Sequence, residues 1–410
     1  MAKGLTLDDV AAFAEPRHRE YWQSVAEFCA DEIGDCVPPG TDDEARRRAR
    51  ELARAMGRAG IYQPIADGDI RGCIVARELL GWWSPLADAV FALQALSSTP
   101  ALIARGSLDG SESEEDGGEA PHPAVDWARR ALAGDAIGAF AMTEPEAGSD
   151  PASMRTLAIL DEGSEGDPAG YRLTGTKTFI SNAGIADFYV VFASTAPSEG
   201  ARGISCFVVP ADTEGLRFAG PQVMSAPHPL GEIRLGDCRV PAGTRLGAEG
   251  RGFALAMATL DRLRPTVGAA ACGMAGRALW EASEHARSRR QFGRPLGSFQ
   301  LVQEKLAQSA TELAAGRLLA WRAGWAKDSG ADRITTQAAM AKAFCTEAAQ
   351  RIVDRAVQVL GGRGVLANHP VDHLYRSVRA LRIYEGATEV LQLVIARDLL
   401  REDRAADGRG

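Results

Sequence analysis

Two short stretches in the middle of the chain decide the fold: residues 140–150 read FAMTEPEAGSD, and residues 175–184 read GTKTFISNAG. In the first, a hydroxyl, a proline turn and an Ala-Gly-Ser loop offer backbone N–H groups and hydroxyls that can converge on a ligand. The second predicts a strand that ends in a polar turn. Taken singly, the first stretch is equally well explained as a turn that enters a β domain. In the second stretch, Phe179 taken alone is explained as a core side chain.

The segments around these two stretches predict a small all-β unit, a barrel or sandwich, over residues 136–248. Short runs rich in β-branched and aromatic residues alternate there with turns of Gly, Pro and Asp, which is the pattern of successive strands. The predicted strands are residues 171–175, 188–194, 204–209 and 232–235.

Helical patterns lie on both sides of this unit. Residues 1–135 contain apolar helical stretches at 42–56, 74–80 and 87–105, the last interrupted by Pro100. Residues 249–410 contain apolar stripes at 300–322 and 337–359, which predict a helix-bundle core. The expected fold is therefore mainly α with a central β domain.

A polar insert breaks the first helical unit. Residues 107–123 consist almost entirely of Gly, Ser, Pro, Asp and Glu. Such a composition buries too little apolar surface to fold alone, so a flexible acidic surface loop is predicted. A docking role for this acidic run is the alternative.

Size and composition exclude several classes of function. A chain of 410 residues exceeds one compact core. Its net charge of −8 argues against nucleic-acid binding, which needs a basic surface. The 7 cysteines are scattered and form no C-x-x-C pair. Residues 1–20 resemble no signal peptide, and no apolar run is long enough to span a membrane. We expect a cytoplasmic protein without a metal site.

Four further segments follow in order: LDRLR at 260–264, RRQFG at 289–293, QVLGG at 358–362 and IYEG at 383–386. Together with the first two they make the chain resemble the acyl-CoA dehydrogenase family over roughly residues 40–400. The resemblance implies an N-terminal helical domain, a middle β-barrel or sandwich and a C-terminal four-helix bundle. It also implies FAD bound between domains and across a subunit interface, in a homotetramer or homodimer.

The resemblance also implies which residues contact FAD. Phe140, Met142, Thr143, Gly148 and Ser149 match one side of the flavin, with Ser149 also on the substrate side; Phe179 and Ser181 match its other edge, Ser181 near N5. Arg289, Phe292 and Gln300 match a segment that reaches the FAD of a neighbouring subunit, and Gln358, Gly361, Gly362, Thr388 and Glu389 match further dinucleotide contacts. Without the family, Arg289 is a solvated helix cation and the Gly-Gly pair a helix C-cap.

The helix around residue 261 is expected to bind the substrate's arm. Asp261 and Arg264 lie on one helical face and match residues that contact pantetheine, while an intrahelical ion pair is the alternative. Tyr384 and Gly386 match substrate contacts on either side of a glutamate. The small residues at 268–273 predict close helix packing.

Glu385 is the expected catalytic base. Oxidation between Cα and Cβ of a thioester requires a carboxylate to take the α-proton while flavin N5 accepts the β-hydride. Burial is expected to raise the pKa of this carboxyl, and its backbone N–H, with a ribityl hydroxyl, to stabilise the enolate oxygen. Some family members carry the base at the position of Leu263, which cannot take a proton.

The substrate is expected to be an uncharged acyl-CoA. No Lys or Arg occurs between residues 81 and 104, the region that shapes the acyl pocket in the family, so no cation there awaits a terminal carboxylate. Asp88 is expected to be a solvated helix residue, with contact to a polar or amino-bearing acyl end as the alternative. An acyl group on an acyl carrier protein is the second hypothesis. A non-dehydrogenase flavoprotein of the same fold and a non-catalytic paralogue are further alternatives. The family implies electron-transfer flavoprotein as the acceptor.

Overall fold

The computed structural model describes residues 4–34, 37–105, 122–163 and 169–400. Most of the predicted acidic insert, residues 107–121, lies outside these ranges, so its structure is not described. Its last residue, Pro123, is the first residue of a helix rather than part of a loop. Proline fits this first position because it has no N–H to leave unpaired.

The N-terminal part is helical, as predicted. Thr41 caps its second helix by accepting a hydrogen bond from the N–H of Glu44 at 3.2 Å, and Asp69 caps the fourth by accepting one from Gly72 at 2.9 Å. The helices are α1 (Pro16–Phe28), α2 (Asp42–Arg58), α3 (Gln63–Ala66), α4 (Ile70–Trp83), α5 (Pro85–Arg105) and α6 (Pro123–Ala133).

Helix α5 corrects one prediction. Pro100 does not interrupt it, because the helix continues on both sides of the proline to Arg105. Proline removes one backbone hydrogen bond, but packing of a buried helix supplies most of its stability. The helix also departs from the expectation that no run is long enough to span a membrane, because by length and hydropathy the stretch Pro85–Ala104 is apolar enough to cross one. Of its apolar window, 83% is buried against the rest of the chain, as in the core helix of a folded domain.

The middle part is one mixed sheet. Its order is β6–β7–β3–β2–β4–β5–β8, and β1 pairs with β4 in parallel. The predicted strands correspond to β3, β4, β5 and β7, whereas β1, β2, β6 and the two-residue β8 were not predicted. The strands are β1 (Gly138–Ala141), β2 (Leu157–Asp161), β3 (Gly170–Ser181), β4 (Phe188–Ser194), β5 (Ile204–Pro210), β6 (Leu216–Pro221), β7 (Leu230–Pro241) and β8 (Arg245–Leu246).

Strand β4 explains why this sheet has two cores. All its residues are buried, with Val190 and Phe192 in one apolar cluster and Tyr189 and Val191 in another. Because successive side chains point to opposite faces, the strand separates the two clusters. The first cluster also includes residues of α5, α6 and the helix that follows β8, so helices cover that face.

The C-terminal part is a helix bundle around one long helix, α7. The elements are α7 (Gly252–Ser288), the hairpin β9 (Arg290–Gln291) and β10 (Arg294–Pro295), α8 (Gln300–Asp328), α9 (Thr335–Leu360), α10 (Pro370–Leu381) and α11 (Thr388–Leu399). The predicted division of the chain after residues 135 and 248 stays a prediction; β1 begins at Gly138 and α7 at Gly252.

Small residues let α7 pack closely on α4. A Cβ placed on Gly273 would lie 2.0 Å from the carbonyl oxygen of Glu78. A Cβ on Gly81 would lie 2.7 Å from the carbonyl oxygen of Ala270. Real Cβ atoms do not approach so closely, so glycine is required where these two backbones meet, as the run of small residues predicted.

Two arginines connect the sheet to the helices. Arg46 of α2 donates to the carbonyl oxygens of Ala183 at 2.6 Å and Leu230 at 2.8 Å. Arg376 of α10 donates to the carbonyl oxygen of Ser225 at 2.6 Å. The end of β3 and the connection between β6 and β7 are therefore held against both helical parts.

Candidate functional site

Glu385 lies in the turn between α10 and α11 and has an unusual backbone. Its φ is +54°, and the next residue, Gly386, has a φ of +106°. A non-glycine residue in the left-handed region costs about 1–3 kcal/mol, so the surrounding contacts must hold it there. Such strain is common where a side chain has been placed for function.

Two buried cations hold the carbonyl groups of this turn. Arg264 donates from Nε to the carbonyl oxygen of Glu385 at 2.9 Å, and Lys342 donates from Nζ to that of Gly386 at 2.6 Å. Burial lowers the pKa of Lys342 to about 8, although the negative charge of Glu385 opposes this. Neither the N–H of Glu385 nor that of Gly386 donates to any described backbone or side chain. The turn is thus fixed while its N–H groups stay available.

Asp261 positions Arg264. Its Oδ1 accepts from Nη1 of Arg264 at 2.8 Å, and its Oδ2 accepts from the hydroxyl of Thr335 at 2.5 Å. The predicted pair is therefore an i,i+3 ion pair that also supports the Glu385 turn. Its predicted contact with pantetheine remains a prediction.

The carboxyl of Glu385 has a buried oxygen without a partner. Its Oε2 makes no hydrogen bond in the described structure. Burial raises the pKa of this carboxyl above its ordinary value, while the positive charges of Arg77, Arg264 and Lys342 lower it and Asp88 raises it. A buried, unpaired carboxylate is a strong base because water stabilises its charge poorly there. This is the environment expected for Glu385.

Arg77 and Asp88 form a buried ion pair near this carboxyl. Arg77 donates from Nε and Nη2 to the two carboxylate oxygens of Asp88 at 2.8 and 3.0 Å, and from Nη1 to the hydroxyl of Thr266 at 3.0 Å. The expectation of a solvated Asp88 was wrong, because this side chain is 1% exposed. Arg77 lies in α4, outside the segment in which cations were sought, and no sequence signal linked it to Asp88.

Leu263 is 3% exposed in the apolar core beside Arg264. The rival position for a base is therefore occupied by a packed hydrocarbon side chain. Tyr384, directly before the glutamate, is partly exposed.

The end of β3 presents an exposed aromatic ring. Phe179 has a φ of +53° and is 62% exposed, and its N–H donates to Oε1 of Gln222 at 2.8 Å. Asn182, with a φ of +65°, donates from Nδ2 to the carbonyl oxygen of Gly138 at 2.9 Å. A strained backbone that holds a large apolar ring outside the core is consistent with a flat ligand that covers it.

Ser181 contacts a residue that the sequence did not identify. Its Oγ lies 3.1 Å from Nε2 of His228 in the β6–β7 connection. Burial lowers the pKa of His228 to about 4, with Asp42 raising it and Arg46 lowering it further. This imidazole is neutral at pH 7. Nothing in the local sequence around residue 228 pairs it with residue 181.

The loop after β1 is held by a buried lysine. Lys177 donates to the carbonyl oxygen of Met142 at 3.1 Å and to Glu144 at 2.8 Å, and burial lowers its pKa to about 8 against the opposing charge of Glu144. Thr143 accepts at its carbonyl from the N–H of Thr178 at 3.0 Å. Of the predicted flavin contacts here, Phe140 and Met142 pack into the core and Gly148 and Ser149 are exposed.

The remaining predicted dinucleotide contacts lie mainly on an exposed end of the bundle. Phe292, with a φ of +50°, is 92% exposed in the β9–β10 hairpin. Five other residues of this group are exposed as well, namely Arg289, Gln300, Gln358, Gly361 and Gly362. Among the described residues, no hydrogen bond or ion pair joins this group to Glu385.

Thr388 and Glu389 begin α11. Thr388 is buried and donates its hydroxyl to Glu347 at 2.8 Å, whereas Glu389 is exposed. The hydroxyl of Thr388 therefore stabilises the start of the helix in this structure.

The exposed ring and the hydroxyl at the end of β3 fit the contacts that a flavin needs, and the Glu385 turn offers groups that can act on a substrate. Phe179 offers an uncovered ring, Ser181 a hydroxyl, and Glu385 a carboxyl oxygen and a backbone N–H without partners. The end of β3 thus offers an aromatic surface, and the Glu385 turn carries the expected base.

Comparison with known proteins gives two family matches. Residues 250–400 match the model "Acyl-CoA dehydrogenase, C-terminal domain", and residues 139–238 match "Acyl-CoA dehydrogenase, middle domain". The cyclohexane-1-carbonyl-CoA dehydrogenase of Geobacter metallireducens is 40% identical over 268 residues, 65% of this chain and 68% of that protein. The 3-(aryl)acrylate reductase of Clostridium sporogenes is 41% identical over 272 residues, 66% and 70% of the two chains.

Solved structures match nearly the whole chain. The butyryl-CoA dehydrogenase of Megasphaera elsdenii has a TM-score of 0.83 at 29% identity, covering 95% of this chain and 99% of that one. An FAD complex of PigA has a TM-score of 0.81 at 26% identity, covering 94% and 98%. A structure from a study of the electron transferring flavoprotein of Acidaminococcus fermentans has a TM-score of 0.83 at 30% identity, covering 95% and 99%.

Proposed function

Because the chain belongs to the acyl-CoA dehydrogenase family, an enzyme family that acts on CH–CH groups, we propose that it oxidises an uncharged acyl-CoA to the trans-2-enoyl-CoA with FAD. Glu385 removes the α-proton. The observation that carries this proposal is the Glu385 turn, where a buried carboxyl oxygen without a partner stands on a backbone held by Arg264 and Lys342.

FAD, when bound, accepts the β-hydrogen as hydride. The protein supplies the other half of the reaction through Glu385. Since burial raises the pKa of this carboxyl, its ionised form binds a proton more readily than a carboxylate in water. The positive charges of Arg77, Arg264 and Lys342 lower this pKa again, which favours the ionised form that a base requires.

The backbone of Glu385 stabilises the developing enolate. Its N–H has no partner among the described residues, so it can donate to the thioester oxygen without breaking another bond. Arg264 and Lys342 fix the two carbonyls that follow, which prevents this N–H from turning away. Asp261 contributes by holding Arg264.

The β domain forms the flavin wall in this proposal. Phe179 covers the ring system and Ser181 donates or accepts at its edge near N5. Strand β1 and the loop after it supply the other contacts, namely Phe140 from the strand and Met142, Thr143, Gly148 and Ser149 from the loop. The rigid support of that loop by Lys177 agrees with such a role.

The exposed end of the bundle serves a neighbouring subunit. Phe292 is 92% exposed and has a φ of +50°, and backbone strain of this kind is common where a side chain has been placed for function. We assign Arg289, Phe292, Gln300, Gln358, Gly361 and Gly362 to the FAD of that subunit, in a homotetramer or homodimer. Thr388 and Glu389 stay proposed contacts near the dinucleotide.

An uncharged acyl group agrees with the charges around Glu385. Arg77 is neutralised by Asp88 through two hydrogen bonds, and Arg264 and Lys342 donate to the turn. Among the described residues that act on Glu385, each cation already has a partner, so none is left for a terminal carboxylate. Tyr384 lines the substrate side.

CoA is favoured over an acyl carrier protein because the named dehydrogenases among the relatives act on CoA thioesters. An acyl carrier protein remains the second candidate for the carrier. Electron-transfer flavoprotein is the proposed acceptor and the cytoplasm the proposed location. The similarity to a structure from a study of that flavoprotein supports the acceptor.

The test is flavin bleaching by a panel of acyl-CoAs, with the same acyl groups on acyl carrier protein as a second arm. The purified protein should contain FAD and lose its visible absorbance with uncharged acyl-CoAs but not with dicarboxylyl-CoAs. Glu385→Gln should slow this bleaching by about 100-fold or more. A colourless protein, or a variant that bleaches at the wild-type rate, would contradict the proposal.

A further inference from the structure

His228 is the nearest protein partner of the Ser181 hydroxyl, at 3.1 Å, yet it is not among the predicted cofactor or substrate residues. It lies between two prolines, Pro227 and Pro229, in the connection of residues 222–229 that joins β6 to β7. Proline on both sides restricts the backbone and so limits where the imidazole can move.

The connection is tied to the same strand end that carries Ser181. The N–H of Asn182 donates to the carbonyl oxygen of Pro229 at 2.9 Å. Gln222, at the other end of the connection, accepts from the N–H of Phe179 at 2.8 Å and donates to the hydroxyl of Thr178 at 2.9 Å. Hydrogen bonds on both sides of residue 181 therefore fix the imidazole relative to its hydroxyl.

Helices hold the connection from outside the sheet. Arg376 of α10 donates to the carbonyl oxygen of Ser225, and Arg46 of α2 donates to that of Leu230. Since these helices belong to the two helical parts of the chain, the Ser181–His228 contact lies where the three parts meet. The surrounding hydrogen bonds therefore hold the two side chains together within the fold.

The protonation state defines what the imidazole can do. Burial keeps His228 neutral at pH 7 by lowering its pKa to about 4. A neutral imidazole carries one donor and one acceptor nitrogen, whereas the cation only donates. Nε2 can therefore either donate to Oγ of Ser181 or accept its hydrogen, depending on the tautomer.

We propose that His228 is a positioning residue that directs the Ser181 hydroxyl at the N5 edge of the flavin; this rests on the function proposed above. When Nε2 donates to Oγ, the Ser181 O–H is free to donate to the bare N5. When Nε2 accepts, the lone pairs of Oγ face the N5–H that hydride transfer creates. A serine alone, without this partner, has no fixed direction for its hydroxyl.

The test compares His228→Phe, His228→Gln, Ser181→Ala and the double variant Ser181→Ala/His228→Phe. The readouts are the FAD dissociation constant of the reconstituted apoprotein, the visible spectrum and the midpoint potential of the bound flavin. His228→Phe and Ser181→Ala should each weaken FAD binding about three- to tenfold and alter the spectrum in the same way. The double variant should add nothing further, because one interaction is removed only once.

His228→Gln should keep the FAD affinity and the flavin spectrum close to those of wild type, because its amide can also donate and accept. Ser225→Ala is the matched control in the same connection, and should leave every readout unchanged. Circular dichroism checks that each variant is folded; if Phe is not tolerated, His228→Leu, alone and combined with Ser181→Ala, gives the same comparison. Additive effects of the two sites, or an unaltered flavin spectrum and affinity in the folded His228→Phe variant, would overturn the proposal.

Wild-type protein separates this proposal from the function itself. If it binds FAD and is bleached by acyl-CoA while His228→Phe matches it in FAD affinity and flavin spectrum, only the role of His228 is wrong. If wild type binds no FAD, both proposals are wrong.

Discussion

At the scale of single residues, Glu385 combines a strained backbone with a carboxyl that is poorly solvated. The pKa of this carboxyl is raised in the folded chain above its ordinary value of 4.5. At a pH above 4.5, ionisation of the carboxyl therefore favours the unfolded chain. We therefore expect Glu385→Gln to raise the thermal midpoint of the apoprotein at pH 7. The gain should disappear below pH 4.5, where both states keep the proton.

Differential scanning fluorimetry across this pH range measures the effect. Glu389→Gln, an exposed glutamate four residues on, is the control and should change the midpoint little at any pH. A Glu385→Gln midpoint equal to or below wild type at pH 7 would show that the carboxyl is not destabilising there.

Lys342 is expected to set the pH range of the reaction. Its charge lowers the pKa of Glu385, so Lys342→Met should raise that pKa and move the acid limb of kcat/KM to higher pH, by about one unit. Lys342→Arg keeps the charge and should keep the limb near its wild-type position. The measurement is kcat/KM with one acyl-CoA across pH. Coincident pH profiles of Lys342→Met and wild type would refute the role of the Lys342 charge.

At the scale of elements, the contact of α4 with α7 tolerates no side chain at Gly273. Since a Cβ there would lie 2.0 Å from a backbone oxygen, Gly273→Ala must push the two helices apart. We expect a loss of about 1–3 kcal/mol or more, visible as a lower thermal midpoint. Gly243→Ala, where no atom lies within 4 Å of the new Cβ, should cost little. Equal midpoints for the two variants would contradict the close packing.

Elements with strong local signals could be predicted from the sequence. Strand β4 coincides with the predicted residues 188–194, and α2 begins at the predicted Asp42, because a run of β-branched and aromatic residues marks the strand and a threonine cap marks the helix start. Strands β1, β2 and β6 were missed since they are short and of mixed composition. The prediction of a break at Pro100 failed because burial of α5 outweighs one lost hydrogen bond.

At the scale of the whole molecule, the exposed end of the bundle should be an interface. Burying a phenylalanine contributes about 1.5–3 kcal/mol, so Phe292→Ser should weaken subunit association about tenfold or more. Sedimentation across protein concentration measures this, and FAD content is expected to fall with it. Leu160→Ser, which removes another exposed apolar side chain on β2, is the control. Unchanged association would place Phe292 on a free surface.

Long-range contacts explain why the sequence yields only part of the candidate site. Glu385 was found from a local motif, but the pairing of Arg77 with Asp88 and of Ser181 with His228 joins separate elements. Nothing in the neighbouring residues encodes such partners. The roles predicted for the cofactor and substrate residues stay predictions until a ligand is bound.

The hydrogen bonds that Arg264 and Lys342 donate to the Glu385 turn affect the amide proton of Glu385. Because Arg264 and Lys342 hold the turn before any substrate arrives, the proton is poised but without an acceptor, and it should exchange rapidly with deuterium in the ligand-free enzyme. A bound thioester would cap it and slow that exchange. Hydrogen exchange at this single amide would therefore report occupancy of the site independently of flavin colour.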